Sequence, residues 1–177
     1  MGGMAAAEPI IEIVGGRRLT GGRVTVAGSS NQVTKSIMAA LLTNEDVLLK
    51  GAPDVNERVV VQELFSYLGG RVEQVEDGVV RLNARGVDKP SIPDELCRRN
   101  RIAILSAGPL LHRFKEVELS ASLGGDKIGK RPVDFHLKGL AEMGATITTH
   151  GNRLRLTVEE GGLHGAHLVL PFPSVMT

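Results

Sequence analysis

One order of elements recurs along the chain with a period of about 70 to 75 residues, longer than common solenoid repeats. A chain built this way must fold into units that bury their faces against one another. In the first unit, alternation over residues 23–27 predicts a short strand, and Gly28-Ser29-Ser30-Asn31 supplies turn and N-cap chemistry for a helix. Val33, Ile37 and Leu41 recur at helical spacing to about Thr43, and residues 47–49 read as the next strand. Asn56 is placed to cap a second helix with Val60, Leu64 and Leu68 on one face, ended by Gly69 and Gly70. Residues 71–75 and 79–82 then flank Glu76-Asp77-Gly78, a strong hairpin signal.

The second unit predicts a helix over residues 99–111, a strand over 117–119, a helix over 133–143 ending at Gly144, and a hairpin of 145–149 with 153–158 around His150-Gly151-Asn152. Residues 165–170, followed by 171–176, echo the start of the first unit. The units span about 20–84, 92–158 and 163–177, with residues 1–9 read as a disordered tail. A stack of about two and a half units is expected to leave one face uncovered, as a fragment or one subunit of a larger assembly would.

With no Trp, one Tyr and four Phe among 177 residues, the core must be built from Val, Leu, Ile and Ala. The same scarcity removes the stacking platforms that single-stranded nucleic acid requires. A net charge of +1 gives no global field toward nucleic acid or an anionic membrane, so any anion site is local. No apolar run approaches the about 18 residues of a membrane span, and the first residues lack the pattern of a signal peptide. The single cysteine, Cys97, excludes an internal disulfide and fits the cytoplasm. Arg98 and Arg99 beside it favour a thiolate, although a lone cysteine is more often inert structure.

Residues 124–134 hold three glycines, three cations and the carboxylates of Asp126 and Asp134. Glycines allow close approach to a ligand and the cations attract an oxyanion, so this is the candidate anion-binding loop, with an acid inside it.

Read together, residues 21–31, Ala39-Ala40-Leu41-Leu42, Arg101 before Ser106-Ala107-Gly108-Pro109-Leu110, residues 124–134, His136, Gly139-Leu140 and Gly165-Ala166-His167 resemble the enolpyruvyl transferases. The likeness runs in order from about Ile10 to Thr177 and is strongest to the amino-terminal half of members that act on UDP-N-acetylglucosamine. It implies an α/β (α+β) fold: an inside-out α/β barrel, or prism, of βαβαββ repeats, here one partial domain. It also implies transfer of an enolpyruvyl group from phosphoenolpyruvate to the sugar 3-hydroxyl in peptidoglycan precursor synthesis, without metal or redox cofactor. In such proteins the site lies between two domains, so a complementary second domain or subunit is expected. Residues 10–18 can belong to that second domain.

The resemblance assigns roles by position. Asp126 stands where the family most often has a cysteine, and its protonated carboxyl would serve as general acid. An ordinary Asp, near about 3.9, is ionised at pH 7, and Lys127, Lys130 and Arg131 favour ionisation further. Holding a proton there requires desolvation or an anionic ligand. Arg131 matches a contact to phosphoenolpyruvate or phosphate, and Arg101 a contact to the nucleotide sugar. Asp134 matches an acceptor for the uracil ring, or equally caps the helix that follows. His136 matches a family histidine, with a structural role as the alternative. Ser174 and Val175 match a phosphate-contacting segment whose following glycine is Met176 here.

Asn31 matches a substrate-binding asparagine, but the lysine that precedes it in the family is Ser30 in this chain. Lys35 does not replace that lysine, because five residues along a helix turn it through about 500°, roughly 140° from the original direction. Two other readings therefore stay open: a non-catalytic homologue that binds a nucleotide sugar or a protein, and a transferase acting on another uridine nucleotide.

Overall fold

The computed structural model describes residues 10–16, 18, 20–124 and 133–172. Among these, α1 (Ser30–Ala39) continues into a 3₁₀ turn over Ala40–Leu42. The first sheet unit is β1 (Val47–Lys50), α2 (Asn56–Tyr67), β2 (Arg71–Glu76) and β3 (Val79–Asn83). Next come α3 (Asp94–Arg99), a 3₁₀ stretch over Arg101–Ser106 and α4 (Ala107–Phe114). The second sheet unit is β4 (Glu116–Ser120), α5 (Asp134–Glu142), β5 (Thr146–His150) and β6 (Arg153–Thr157).

The two sheets share one topology. Their strand orders are β1-β3-β2 and β4-β6-β5, with antiparallel neighbours throughout. Each helix thus crosses between two parallel strands, and the last strand of its unit inserts between them. Tight turns make that possible: Gly78 and Gly151 both take positive φ, which an L side chain resists.

A single aliphatic cluster lies beneath the helices, including Ile37, Leu41, Leu64, Leu68, Leu82, Leu110, Leu119 and Leu156, with Phe65 its one large aromatic side chain. The face predicted for residues 99–111 is right, since Ala103, Ala107 and Leu111 are all buried. The helix itself is not continuous. Asn100 is extended, and its Oδ1 accepts from the Ile102 amide at 2.7 Å, so side-chain capping ends α3 and starts the 3₁₀ stretch. Pro109, which has no N–H to donate, sits in the first turn of α4.

Three further expectations are corrected. Residues 23–27 form no strand: they join no β-ladder among the described residues, and Val24 and Val26 are exposed. Val55, not Asn56, occupies the cap position of α2, and no side chain bonds there. Likewise Asp134 is the first residue of α5 and does not cap it through its side chain. At α1 the cap is Ser29, which accepts from the Gln32 amide.

Sequence periodicity did not reveal the clamp on the second sheet. Arg153 of β6 donates to Asp94 and Glu118, to the Ile92 carbonyl at 2.8 Å and to Ser91 Oγ at 3.0 Å. Residues 90–92 also bond along β4 through the Ile92 and Glu118 amides. The Arg153 hydrogen bond, then that of Asn152, holds the Asp94 carboxyl below its usual value. A carboxyl lowered on folding contributes stability above its unfolded value, about 3.9, that is lost as pH falls through the folded one. Denaturant unfolding measured from pH 5 downward is therefore expected to show a smaller acid loss in Asp94→Asn than in the parent. Equal slopes would contradict the assignment.

Candidate functional site

The predicted residues that fall within the described segments all lie at the beginnings of helical elements. Asn31 is the second residue of α1, Arg101 the first of its 3₁₀ stretch, and Asp134 and His136 the first and third of α5. Helix starts expose free N–H groups and a positive dipole end, so these positions suit an anionic ligand. Asp126, Arg131, Ser174 and Val175 lie outside the described residues.

The structure joins Arg101, Asp134 and His136 electrostatically. Burial pulls the His136 imidazole below its ordinary value, the Arg101 charge pushes the same way, and Asp134 pulls it back up. His136 Nδ1 is buried and has no hydrogen-bond partner among the described residues. Asp134 is exposed. Asn31 is also exposed and makes no side-chain hydrogen bond among the described residues, although α1 packs against the stretch that Arg101 begins.

The two described ends of the glycine-rich loop are anchored separately. At the near end, the Gly124 amide donates to the Cys97 carbonyl at 2.8 Å. A Cβ at Gly124 would lie 1.6 Å from the Arg98 carbonyl oxygen, so only glycine permits that approach. At the far end the chain enters α5, whose first turn carries Asp134 and His136. Phe172 packs edge-to-face on Phe135 in that turn, with ring centroids 5.2 Å apart, a contact that spacing did not suggest.

Cys97 belongs to the support of this loop. Its thiol is buried and accepts from the Ser120 amide at 3.4 Å, and burial raises its pKa despite the flanking arginines. The two most evident concavities, about 410 Å³ beside Arg71, Glu73 and Arg81 and about 480 Å³ beside Pro109, His112 and Lys115, contain none of the predicted residues. Among the described residues, no helix is long and apolar enough to cross a membrane.

The cluster makes a titration prediction. His136 is expected to titrate below about 6.5. Arg101→Gln should raise its midpoint and Asp134→Asn should lower it further. Because the unfolded chain binds the proton more readily, the stability tied to this group falls as pH drops through that window. Imidazole proton shifts followed against pH test this, and an unmoved midpoint in Arg101→Gln would show that the groups are uncoupled.

A family model described as EPSP synthase (3-phosphoshikimate 1-carboxyvinyltransferase) matches residues 14–177. The chain is 39% identical over 159 residues to the UDP-N-acetylglucosamine 1-carboxyvinyltransferase of Sulfurovum sp. (strain NBC37-1), covering 90% of this chain and 37% of that protein. It is 38% identical over 154 residues to the enzyme of the same name from Escherichia fergusonii, covering 87% and 36%. The chain therefore spans little more than a third of the length of these curated relatives. Two solved structures share the fold: the enolpyruvyl transferase NikO from Streptomyces tendae, TM-score 0.66 at 20% identity, covering 78% of this chain and 29% of that one; and EPSP synthase from Acinetobacter baumannii, TM-score 0.63 at 22% identity, covering 88% and 36%.

Proposed function

Because the chain belongs to the EPSP synthase family and has its inside-out α/β fold as part of a domain, we propose that it carries one side of a carboxyvinyltransferase site. The reaction moves an enolpyruvyl group from phosphoenolpyruvate to the 3-hydroxyl of UDP-N-acetylglucosamine, in the cytoplasm, for peptidoglycan precursor synthesis. Further polypeptide, corresponding to the rest of the relatives' length, completes the site. The observation that supports this reading is the charge coupling of Arg101 and Asp134 to the part-buried His136, whose Nδ1 has no hydrogen-bond partner among the described residues.

In this reading Arg101, Asp134 and His136 hold the nucleotide end of the acceptor, and Asn31 at the start of α1 binds substrate. Arg131 contacts phosphoenolpyruvate or phosphate, and Ser174 and Val175 form a phosphate-contacting segment. As the acceptor oxygen bonds to C2 of phosphoenolpyruvate, the Asp126 carboxyl gives its proton to the C3 methylene. The tetrahedral adduct then loses a C3 proton and inorganic phosphate, which restores the double bond on the new ether. The base and additional cations come from the complementing polypeptide.

A second reading is favoured by one residue. Ser30 removes a cation that the family uses, which suits a homologue that binds a nucleotide sugar or protein without turnover, or one acting on another uridine nucleotide. Phosphate release from phosphoenolpyruvate and UDP-N-acetylglucosamine by the complemented chain tests the enzyme reading. Nucleotide-sugar binding without phosphate release would favour the alternative.

A further inference from the structure

The two sheet units share a backbone bond at the hairpin turn, and only one of them adds a side chain there. In each unit the amide of a residue just past the first strand donates to the carbonyl of the last turn residue: Ala52 to Gly78 in the first unit and Ala121 to Asn152 in the second, both at 2.8 Å. The shared turn therefore needs only a carbonyl at that position, and glycine supplies it in the first unit. Backbone conformation does not call for Asn152 either, because Gly151 takes the positive φ of the second turn.

The Asn152 side chain instead holds two other segments together. Its Nδ2 donates to Asp94 Oδ2 at 3.2 Å and to Ser120 Oγ at 3.0 Å, and its Oδ1 accepts from Ser122 Oγ at 2.7 Å. A carboxylate can only accept, so the amide must face Asp94 with its NH₂ end, which leaves Oδ1 for Ser122. Asp94 is the first residue of α3, and Ser120 is the last of β4. The same two segments meet again at Cys97 of α3, where the Ser120 amide donates to the thiol at 3.4 Å and the Gly124 amide to the carbonyl at 2.8 Å. Residues 120–124 are thus strapped to α3, through Asn152 at its start and directly at Cys97. The first unit connects β1 to α2 by residues 51–55 alone, whereas β4 connects to α5 through residues 121–133, which include the glycine-rich loop. The additional side chain stands at the root of the longer connection.

We propose that Asn152 is a positioning residue of the transferase site: it holds residues 120–124 on α3 and through them sets where the chain delivers Asp126, two residues beyond Gly124. Its effect on turnover rests on the transferase reading, while the anchoring does not. Asn152 is exposed, so its loss costs position rather than fold.

Steady-state kinetics of the complemented chain test this, alongside hydrogen exchange of the intact chain alone. Asn152→Ala should lower kcat about tenfold, as displacement of a reacting group does, and leave both KM values within about twofold. Asn83→Ala, which removes an asparagine bonded to Asp46 in the first unit, should leave kcat unchanged. Asn152→Asp sets two carboxylates against each other, and Asp94→Asn sets two amide donors against each other, so each should lower kcat. Combined, they should restore it, because the bond between positions 94 and 152 is remade with donor and acceptor exchanged. In the chain alone, Asn152→Ala should speed exchange of the Ser122 and Gly124 amides by about three- to tenfold, the loss of a modest hydrogen bond or two, and leave Leu82 unmoved. Asn152→Gly, which copies the first unit's turn residue, serves if the alanine variant does not fold. Unchanged kcat, a loss carried by KM, an equal loss in Asn83→Ala, no recovery in the exchanged pair, or unchanged exchange at both amides would each overturn the assignment. Faster exchange in Asn152→Ala, with a complemented parent that never turns over, would sink the transferase reading and leave the anchor standing.

Discussion

The chain alone is expected to release no measurable phosphate from phosphoenolpyruvate and UDP-N-acetylglucosamine, and turnover is expected once the remaining length of a relative is supplied, fused or in trans. The surface gives the physical reason. Ile10, Ile11, Val24, Val26 and Val169 are 91%, 86%, 84%, 88% and 73% exposed, whereas the aliphatic core residues are nearly all fully covered. These exposed side chains lie on residues 10–27 and 163–172, which join no β-ladder among the described residues. Exposed apolar side chains next to backbone that joins no ladder invite a partner. The proposed chemistry needs one as well, because a general base and further cations must come from elsewhere. Supplying the complement should therefore protect amides of residues 23–27 and 165–170 from hydrogen exchange at the same stoichiometry that restores turnover. Robust phosphate release by the purified chain would refute the prediction, as would full complementation without protection at those segments.

Local chemistry made much of the fold legible. Asp77-Gly78 and Gly151 mark the hairpins because their turns require positive φ, and the apolar spacing of α2 reports its buried face correctly. What failed depends on distant partners. Residues 23–27 alternate as a strand does, yet alternation cannot supply a neighbouring strand. Asn100 broke an otherwise regular helical pattern because its own side chain satisfied the next turn's amide. Arg113, which donates to the Leu41 and Thr43 carbonyls and so ties α4 to the end of α1, and Arg153, which clamps residues 91–94, carry no local signature. The site follows the same division. Spacing alone gave a glycine-rich, cationic loop, while the resemblance supplied the roles.

Replacing Asp126 by alanine is expected to lower turnover of the complemented enzyme by about 10²–10⁴-fold, the usual range for loss of a positioned general acid. Its substrate affinity, measured by calorimetry, should change much less, because protonation of C3 belongs to the transition state. Asp126→Cys should retain activity and extend it to higher pH, since a thiol near about 8.5 stays protonated where a carboxyl has lost its proton. The same substitution should create a new vulnerability. An epoxide that alkylates thiols should leave the parent unmodified, because a carboxylate is the poorer nucleophile, yet label Asp126→Cys stoichiometrically. Intact-mass analysis reads both proteins in one experiment. An adduct on Asp126 in the parent would contradict the nucleophilicity argument. Unimpaired turnover in Asp126→Ala would remove the carboxyl from the mechanism and require the proton to come from a group on the complementing polypeptide.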